Sequence, residues 1–130
     1  MPFPNDNTMS VGELRRLMAE FVTERDWQQF HRPKNLAMSL AIEAGELMEH
    51  FQWLDHEQSD AALADPGTRR EIADEMADVL SFLLSLANAT GIDLSQAFAD
   101  KLESNRRKYP AEEVRGDHRK RRENQADTKD

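Results

Sequence analysis

The spacing of apolar residues along the chain predicts amphipathic helices. One stripe runs through leucines at steps of four, seven and seven: Leu36, Leu40, Leu47 and Leu54. A later stripe has steps of seven, three and four: Ile72, Val79, Phe82 and Leu86. Each stripe lacks one member, and the positions where an apolar residue is expected hold Glu43 and Glu75. A carboxylate at a core position needs a chemical explanation, because burial disfavours its charged form.

Four helical segments follow from this periodicity and from the capping residues. They cover residues 10–27, 33–54, 68–91 and 93–110. Ser10 with Glu13 three residues later has the pattern of a capping box, and Pro33 is tolerated in a first turn. Gly91 is a C-terminal stop, and Asp93 can cap the last helix. The segment between the second and third helices is polar, with room for one helical turn. Strands are not predicted, so the fold class is an all-α four-helix bundle.

Length and charge limit the possible functions. The 130 residues are expected to form one domain at 10–110, with a flexible N-terminus at 1–9 and a charged, disordered tail at 111–130. The tail holds six basic and six acidic groups, so residues 1–110 carry the whole net charge of −8. An acidic body argues against stable nucleic-acid binding, although the run "HRKRR" at 118–122 is basic; it is interpreted as a solvated tail.

The cellular location is inferred from what the chain lacks. It has no cysteine, no apolar run of bilayer length and no signal peptide. We therefore expect a cytoplasmic protein without membrane contact.

The two misplaced glutamates each have an acidic partner three residues later. Glu46 follows Glu43 and Asp78 follows Glu75, so each pair lies on one face of its helix. If the two helices pack face to face, the four carboxylates converge in a partly desolvated place. A hard divalent cation resolves that conflict, with Mg²⁺ favoured and Mn²⁺ possible. Gly45 in the same helix predicts close approach of a neighbouring helix.

Surface acids and iron chemistry are the alternatives for these groups. Glu49, Glu71 and Asp74 are expected to be solvated or ion-paired, and an isolated ExxE pattern has little specificity. A di-iron bundle requires Glu-x-x-His, which neither acidic motif has. An all-oxygen site instead favours phosphate substrates, and the chain has no Gly-rich phosphate loop.

Cationic and aromatic residues suit a nucleotide. On the last helix, Lys101 and Asn105 share a face with Lys108. Trp27, Phe30 and His31 precede the second helix, Phe51 and Trp53 follow it, and nucleobases stack on such side chains. The alternative is that both tryptophans are core residues. On spacing alone neither alternative is preferred.

Three motifs resemble a known family. They are "EAGELMEHFQW", "EIADEMADVLSFLLSLA" and "KLESNRRKYP", which are similar to the MazG-like all-α nucleoside triphosphate pyrophosphohydrolases. The segment "ERDWQQFHRPKNLAMSLAIEAGEL" resembles their dCTP pyrophosphatase branch. The similarity covers residues 10–110 with both acidic pairs in register.

The resemblance implies an enzyme that splits a nucleoside triphosphate between the α- and β-phosphates. It implies a bundle completed by oligomerisation as a homodimer or homotetramer. The implied Mg²⁺ ligands and catalytic groups are Glu43, Glu46, Glu75 and Asp78, with Glu46 or Glu43 orienting the attacking water. The implied substrate-binding residues are Trp27, Gln28, Gln29, Phe30, His31, Trp53, Phe82, Lys101 and Asn105. The last two are expected to come from a neighbouring subunit.

Two departures from the branch concern the base preference. The branch often has His where this chain has Met18, and Tyr where it has Phe82. Both changes remove a polar group from the inferred nucleotide pocket. A related pyrimidine, a modified deoxynucleotide or a broader substrate range therefore stays open. Outside catalysis, the alternatives are a helical interaction module with a solvated acidic face and an iron-binding carboxylate bundle.

Overall fold

The chain is all-helical, as the hydrophobic pattern predicts. A computed structural model describes residues 3–117, and no strand occurs in that range. The helices are α1 (Val11–Glu24), α2 (Pro33–Glu49), α3 (His56–Ala64), α4 (Pro66–Thr90), α5 (Leu94–Lys108) and α6 (Ala111–Val114). They form two compact units, one ending at Ile92 and the other beginning at Asp93. The division into one domain at 10–110 stays a prediction.

Capping residues set several helix ends as expected. The Ser10 hydroxyl accepts a hydrogen bond from the Glu13 N–H at 3.1 Å, and the Glu13 carboxylate accepts one from the Ser10 N–H at 3.0 Å. This reciprocal pair satisfies two donors that a helix start leaves unpaired. Gly91 has φ 73°, the left-handed conformation that ends α4 at little steric cost. Asp93 accepts from the Gln96 N–H at 2.9 Å and caps α5.

Several boundaries differ from the sequence prediction; α1, for example, ends at Glu24 instead of residue 27. Helix α2 ends at Glu49 instead of residue 54, because tight turns follow in which Phe51 N–H donates to Met48 O at 2.9 Å. The polar segment forms a helix of nine residues, since Asp55 and Gln58 make a capping box. Helix α4 begins at Pro66, because Asp65 accepts from the Thr68 N–H at 2.9 Å.

The two ends of the chain are described only in part. The predicted tail at 111–130 begins with α6, and its basic run at 118–122 lies outside the described residues. Near the N-terminus, the Thr8 N–H donates to Asn5 O at 3.0 Å and closes a turn. The flexibility expected of residues 1–9 stays a prediction.

Helix α4 is the centre of the first unit. It packs against α1, α2 and α3, most extensively against α2. The buried apolar side chains come from three helices: Val22, Leu36, Ile72, Leu84 and Ala87. Leu36 is only 2% exposed and belongs to the leucine stripe, while Ile72 begins the second stripe. The two stripes therefore meet, and this contact determines which way the interrupting glutamates face.

The close approach expected at Gly45 is not found. Within the described part of the chain, a methyl group at this position would meet no heavy atom within 4 Å. Within one chain the expectation does not hold, because a methyl group at this position would enter open space. The glycine therefore has no packing explanation inside one chain.

Many large apolar side chains remain exposed. Leu80 and Leu83 on α4 are among them, whereas Leu84 and Ala87 on the same helix are buried. Ile42 on α2 is 61% exposed and Met76 on α4 is 58% exposed. Among residues 3–117 no single helix is long and apolar enough to cross a bilayer; α4 and α5 meet that test only when counted together, by length and composition.

Arg15 ties α1 to the C-terminal end of α4. Its guanidinium donates to Ala87 O at 3.0 Å, to Ile92 O at 2.7 Å and to the Asn88 side-chain oxygen at 3.1 Å. Asn88 in turn donates to Arg15 O at 3.0 Å. A cation at this end satisfies unpaired carbonyl groups and complements the helix dipole.

We expect Arg15→Ala to destabilise the full chain by about 2 kcal/mol, because three charge-assisted hydrogen bonds are lost together. The matched control is Arg16→Ala, which removes an exposed ion pair to Glu20 at 2.7 Å and should cost less than about 0.5 kcal/mol. Urea unfolding followed by circular dichroism measures both. Equal losses for the two variants would contradict the role given to Arg15.

Candidate metal centre and adjoining cavity

The packing of α2 against α4 brings the predicted carboxylates together. Glu43, Glu75 and Asp78 each offer an oxygen atom, and these atoms all lie within 4.8 Å of one another. Glu46 lies close enough for a hydrogen bond to Glu43 and for charge repulsion with Glu75. We call these four residues the carboxylate cluster. Glu43 and Glu75, which interrupt the apolar stripes, face each other because the stripes do.

No salt bridge within residues 3–117 involves the carboxylate cluster. The ion pairs formed among residues 3–117 use other acids, including Asp74 with Arg70 at 4.0 Å. Glu49 and Glu71 are exposed, as expected for solvated groups. The cluster differs from these exposed acids because Glu43, Glu46 and Glu75 are only partly exposed to solvent.

Two buried oxygen atoms in the cluster lack any hydrogen-bond donor. They are Oε2 of Glu43 and Oε2 of Glu75, judged over the described residues. Buried polar atoms in native proteins are normally satisfied. A divalent cation would satisfy both atoms and offset the repulsion, and carboxylate oxygen is the ligand that Mg²⁺ and Mn²⁺ prefer. The cluster thus fits the ion implied by the sequence.

The pKa values of two acids in the cluster reflect their burial and the crowding of negative charge. The pKa of Glu43 is raised from 4.5 to about 7, mainly by burial, then by its hydrogen bond to Glu46 and by the negative charges of Glu46, Asp78 and Glu75. Burial also raises the pKa of Glu75, with the charges of Glu46 and Asp78 acting in the same direction. Without a metal ion, a proton on Glu43 partly compensates for the crowded charge.

A large apolar cavity adjoins the cluster and shares Asp78 with it. Its volume is about 640 Å³, enough for a nucleoside-sized molecule. The walls come from α1, the α1–α2 loop and α4: Leu14, Leu17, Met18, Phe21, Trp27, His31, Ala77, Asp78, Leu80, Ser81, Phe82 and Leu84. We call this space the apolar cavity.

A turn after α1 delivers Trp27 to the apolar cavity. Asp26 has φ 53°, a left-handed conformation that a short polar side chain tolerates. The Trp27 N–H then donates back to Val22 O at 3.0 Å. The Trp27 ring meets the Phe21 ring edge-on, with centroids 5.8 Å apart. The indole is therefore held at the cavity wall and only 42% exposed.

The structure brings together only part of the predicted substrate-binding set. Trp27, His31 and Phe82 line the apolar cavity. Gln28 instead donates to the Thr23 hydroxyl at 3.1 Å, and Gln29 donates to Asp26 O at 3.2 Å.

The aromatic residues Phe30 and Trp53 do not line the apolar cavity. Phe30 is 61% exposed, and Trp53 is 85% exposed. Lys101 and Asn105 lie on α5 in the second compact unit, so their contact with a triphosphate stays a prediction.

Some cavity residues were not predicted as functional. Leu14, Leu17 and Phe21 have helical apolar spacing, which is equally typical of core residues, and Ser81 was not singled out at all. One signal was available for Ser81, because it follows Asp78 by three residues and so lies on the same face of α4.

Comparison with known proteins identifies relatives over most of the chain. The MazG-like family model matches residues 38–123. Bovine "dCTP pyrophosphatase 1" is 42% identical over 115 residues, which are 88% of this chain and 68% of the relative. The human protein of the same name is 43% identical over 111 residues, covering 85% and 65%. The crystal structure of a pyrophosphatase from Archaeoglobus fulgidus superposes with a TM-score of 0.72 at 36% identity, covering 85% of this chain and 98% of that one.

We expect divalent-cation affinity to rise with pH and to level off above about pH 7. Glu43 has a pKa of about 7 in the folded chain, against an ordinary value of 4.5, so its protonation stabilises the folded chain fully below pH 4.5. This stabilisation is lost as the pH rises towards 7. Over the same window the cation displaces progressively fewer protons, so it binds more tightly. Calorimetric titration with Mg²⁺ and Mn²⁺ in two buffers of different ionisation enthalpy measures both the affinity and the protons released.

Glu49→Gln, an exposed acid on the same helix, should leave this pH dependence unchanged. Glu43→Gln should flatten it, because the group whose pKa is raised to about 7 is removed. A wild-type affinity that is constant from about pH 5 to about pH 8 would contradict the expectation.

Proposed function

This chain belongs to the MazG-like family, and we propose that it is a Mg²⁺-dependent nucleoside triphosphate pyrophosphohydrolase acting on dCTP or a related pyrimidine deoxynucleotide. Its curated relatives named dCTP pyrophosphatase 1 are about 40% identical to it over most of its length. The protein is a nucleotide pyrophosphatase, a hydrolase of phosphoanhydride bonds. The products are the nucleoside monophosphate and pyrophosphate.

One observation carries the proposal. The carboxylate cluster, with oxygen atoms within 4.8 Å, opens on the apolar cavity through Asp78. A triphosphate needs a cation to offset its charge, and a nucleoside needs an apolar space with aromatic walls. Asp78 belongs to both the carboxylate cluster and the apolar cavity, which supports a substrate that has both a triphosphate and a nucleoside.

We assign Glu43, Glu46, Glu75 and Asp78 to the ion. When bound there, Mg²⁺ would neutralise charge on the phosphate oxygens and lower the pKa of coordinated water. The chain's own contribution is to orient the attacking water and accept its proton through Glu46 or Glu43. Water adds to the α-phosphorus, the bond from that phosphorus to the bridging oxygen breaks, and pyrophosphate takes the electron pair.

The apolar cavity is assigned to the nucleoside. Trp27 and Phe82 offer faces for the base and sugar, and both His31 and the Trp27 indole N–H can donate a hydrogen bond. Since Met18 and Phe82 add no hydrogen-bonding group, the walls discriminate weakly between polar base edges. We therefore leave the exact pyrimidine to measurement.

The remaining predicted contacts require a second chain in this proposal. Trp53 is 85% exposed and does not line the apolar cavity of its own chain. We propose that Trp53, Lys101 and Asn105 complete the site of a neighbouring copy in a homodimer or homotetramer. The assignments of Gln28, Gln29 and Phe30, and the cytoplasmic location, stay predictions.

We expect Glu46→Ala and Asp78→Ala to reduce turnover by more than the roughly 100-fold that loss of an outer-shell partner costs a metal site. Helical content should survive, because neither side chain belongs to the buried apolar core. The assay incubates the full chain with each common and deoxy nucleoside triphosphate plus Mg²⁺, then measures pyrophosphate against orthophosphate. Glu49→Ala is the matched control and should keep wild-type turnover.

Each alternative gives a different result in this assay. Orthophosphate without pyrophosphate would place cleavage elsewhere in the triphosphate. No product, together with no stabilisation by Mg²⁺, would favour a helical interaction module. Colour and redox activity after iron loading would favour a carboxylate iron bundle. Wild-type rates for Glu46→Ala or Asp78→Ala would remove those residues from the mechanism.

For the assembly, we expect sedimentation velocity to show a species of at least twice the 15.0 kDa chain mass. Ile42→Lys should shift it towards monomer, because a charge replaces an apolar side chain that is 61% exposed in one chain. Asp60→Lys, a charge change at an exposed position of α3, should not. A monomer at all concentrations would contradict the shared site.

A further inference from the structure

His31 lies between two cavities. It lines the apolar cavity, and it also lines a second space of about 310 Å³ that we call the loop cavity. The loop cavity is bounded by the end of α1, the α1–α2 loop and the last turns of α4. Its walls include Val22, Thr23, Gln28, His31, Ser85 and Asn88. A volume of that size holds several water molecules, each of which occupies about 30 Å³ in the liquid.

Two residues that line the loop cavity each have a buried polar atom with no hydrogen-bond partner among residues 3–117. These atoms are Nδ1 of His31 and Oγ of Ser85. Ser85 is only 4% exposed, so bulk water does not reach it freely. The other amides are engaged: Asn88 exchanges hydrogen bonds with Arg15, and Gln28 donates to Thr23. Among the buried side-chain atoms of the residues that line this cavity, those of His31 and Ser85 are the ones without a partner in residues 3–117.

We propose that Ser85 is a positioning residue that holds the His31 ring, through water in the loop cavity, in the tautomer protonated at Nε2. The substrate role of His31 rests on the function proposed above. Buried polar atoms that share a polar cavity are commonly bridged by ordered water. Ser85 would act on the nucleotide through the orientation and tautomer of His31, without touching it.

In the proposed arrangement every proton has an acceptor. The Ser85 hydroxyl has one proton and no acceptor among the described residues. It donates to water in the loop cavity, and that water donates to Nδ1. In the opposite direction, Nδ1–H would donate to the same water, which would then accept both bonds and have to donate both of its own protons elsewhere in the cavity. A neutral imidazole that accepts at Nδ1 carries its proton on Nε2.

This tautomer suits the apolar cavity. Nδ1 is the ring nitrogen that is buried without a partner, and in the proposed arrangement Nε2 is the nitrogen offered to a ligand. As a donor, Nε2–H can bind an oxygen acceptor of a nucleotide, whether on the base or on the phosphates. Most of the remaining lining side chains are apolar and cannot do so.

The test reads the tautomer directly. Long-range ¹H–¹⁵N spectra of the full chain at about pH 8, where an ordinary histidine is neutral, distinguish protonated from unprotonated ring nitrogens. His31→Gln assigns the signal among the four histidines. We expect His31 to be protonated at Nε2 in the wild type. Ser85→Ala should introduce the second tautomer, Ser85→Thr should restore the single one, and Ser95→Ala on exposed α5 should change nothing.

Kinetics provides a second measurement on the same variants. Ser85→Ala should raise KM for the nucleotide by about fivefold, the size of one ordinary hydrogen bond, and change kcat less than twofold. In a His31→Gln background, Ser85→Ala should add no further increase in KM, because both act through one ring. Alanine favours a helix at least as much as serine, so the variant should fold.

The failure of this inference differs from the failure of the proposed function. A wild-type chain that hydrolyses no nucleotide overturns the function, yet the tautomer can still be measured. Unchanged His31 signals in Ser85→Ala, or a wild-type proton on Nδ1, overturn the positioning role whatever the activity. An additive rise in KM in the double variant also overturns it.

Discussion

Repulsion among four carboxylates on two facing helices is the constraint on which the rest of this structure depends. Two unit charges about 4 Å apart repel by about 1 kcal/mol in water and about 4 kcal/mol at an effective dielectric of 20. The apolar contact between α2 and α4 holds the groups together despite this cost. In the metal-free chain, burial first and then the hydrogen bond and charges of the neighbouring acids raise the pKa of Glu43 to about 7, so a proton there reduces the charge. A cation would remove the need for that proton.

Helix α4 connects the metal chemistry with recognition. Its 25 residues carry Glu75 and Asp78 in the cluster, Phe82 in the apolar cavity and Ser85 in the loop cavity. Asp78 and Ser85 are seven residues apart, or about 10 Å along a helix axis. The C-terminal end of this helix is held by Arg15, so one rigid element sets the spacing between the charged and apolar parts of the site.

The described first unit has a small core for the number of apolar side chains it carries. Five buried apolar residues form that core, while Ile42, Met76 and Trp53 remain largely in solvent. A functional site in such a chain is open on one side. The side of α2 at Gly45 is open as well, because no described atom lies within 4 Å of an added methyl group. Both features are consistent with the proposal that another copy completes the site.

The sequence alone determined the helical class, the caps at Ser10, Gly91 and Asp93, and the two carboxylate pairs, because these depend on local spacing and short-range hydrogen bonds. Tertiary structure decided which side chains meet. Periodicity cannot tell that Trp27 reaches the apolar cavity while Trp53 does not, because that depends on a left-handed turn at Asp26 and an early end to α2. Nor can it show that Ser85, one of several serines on helices, shares a cavity with His31 across α1 and α4. Local spacing determines which residues share a face of a helix. The angle and depth at which those faces pack depend on contacts throughout the chain.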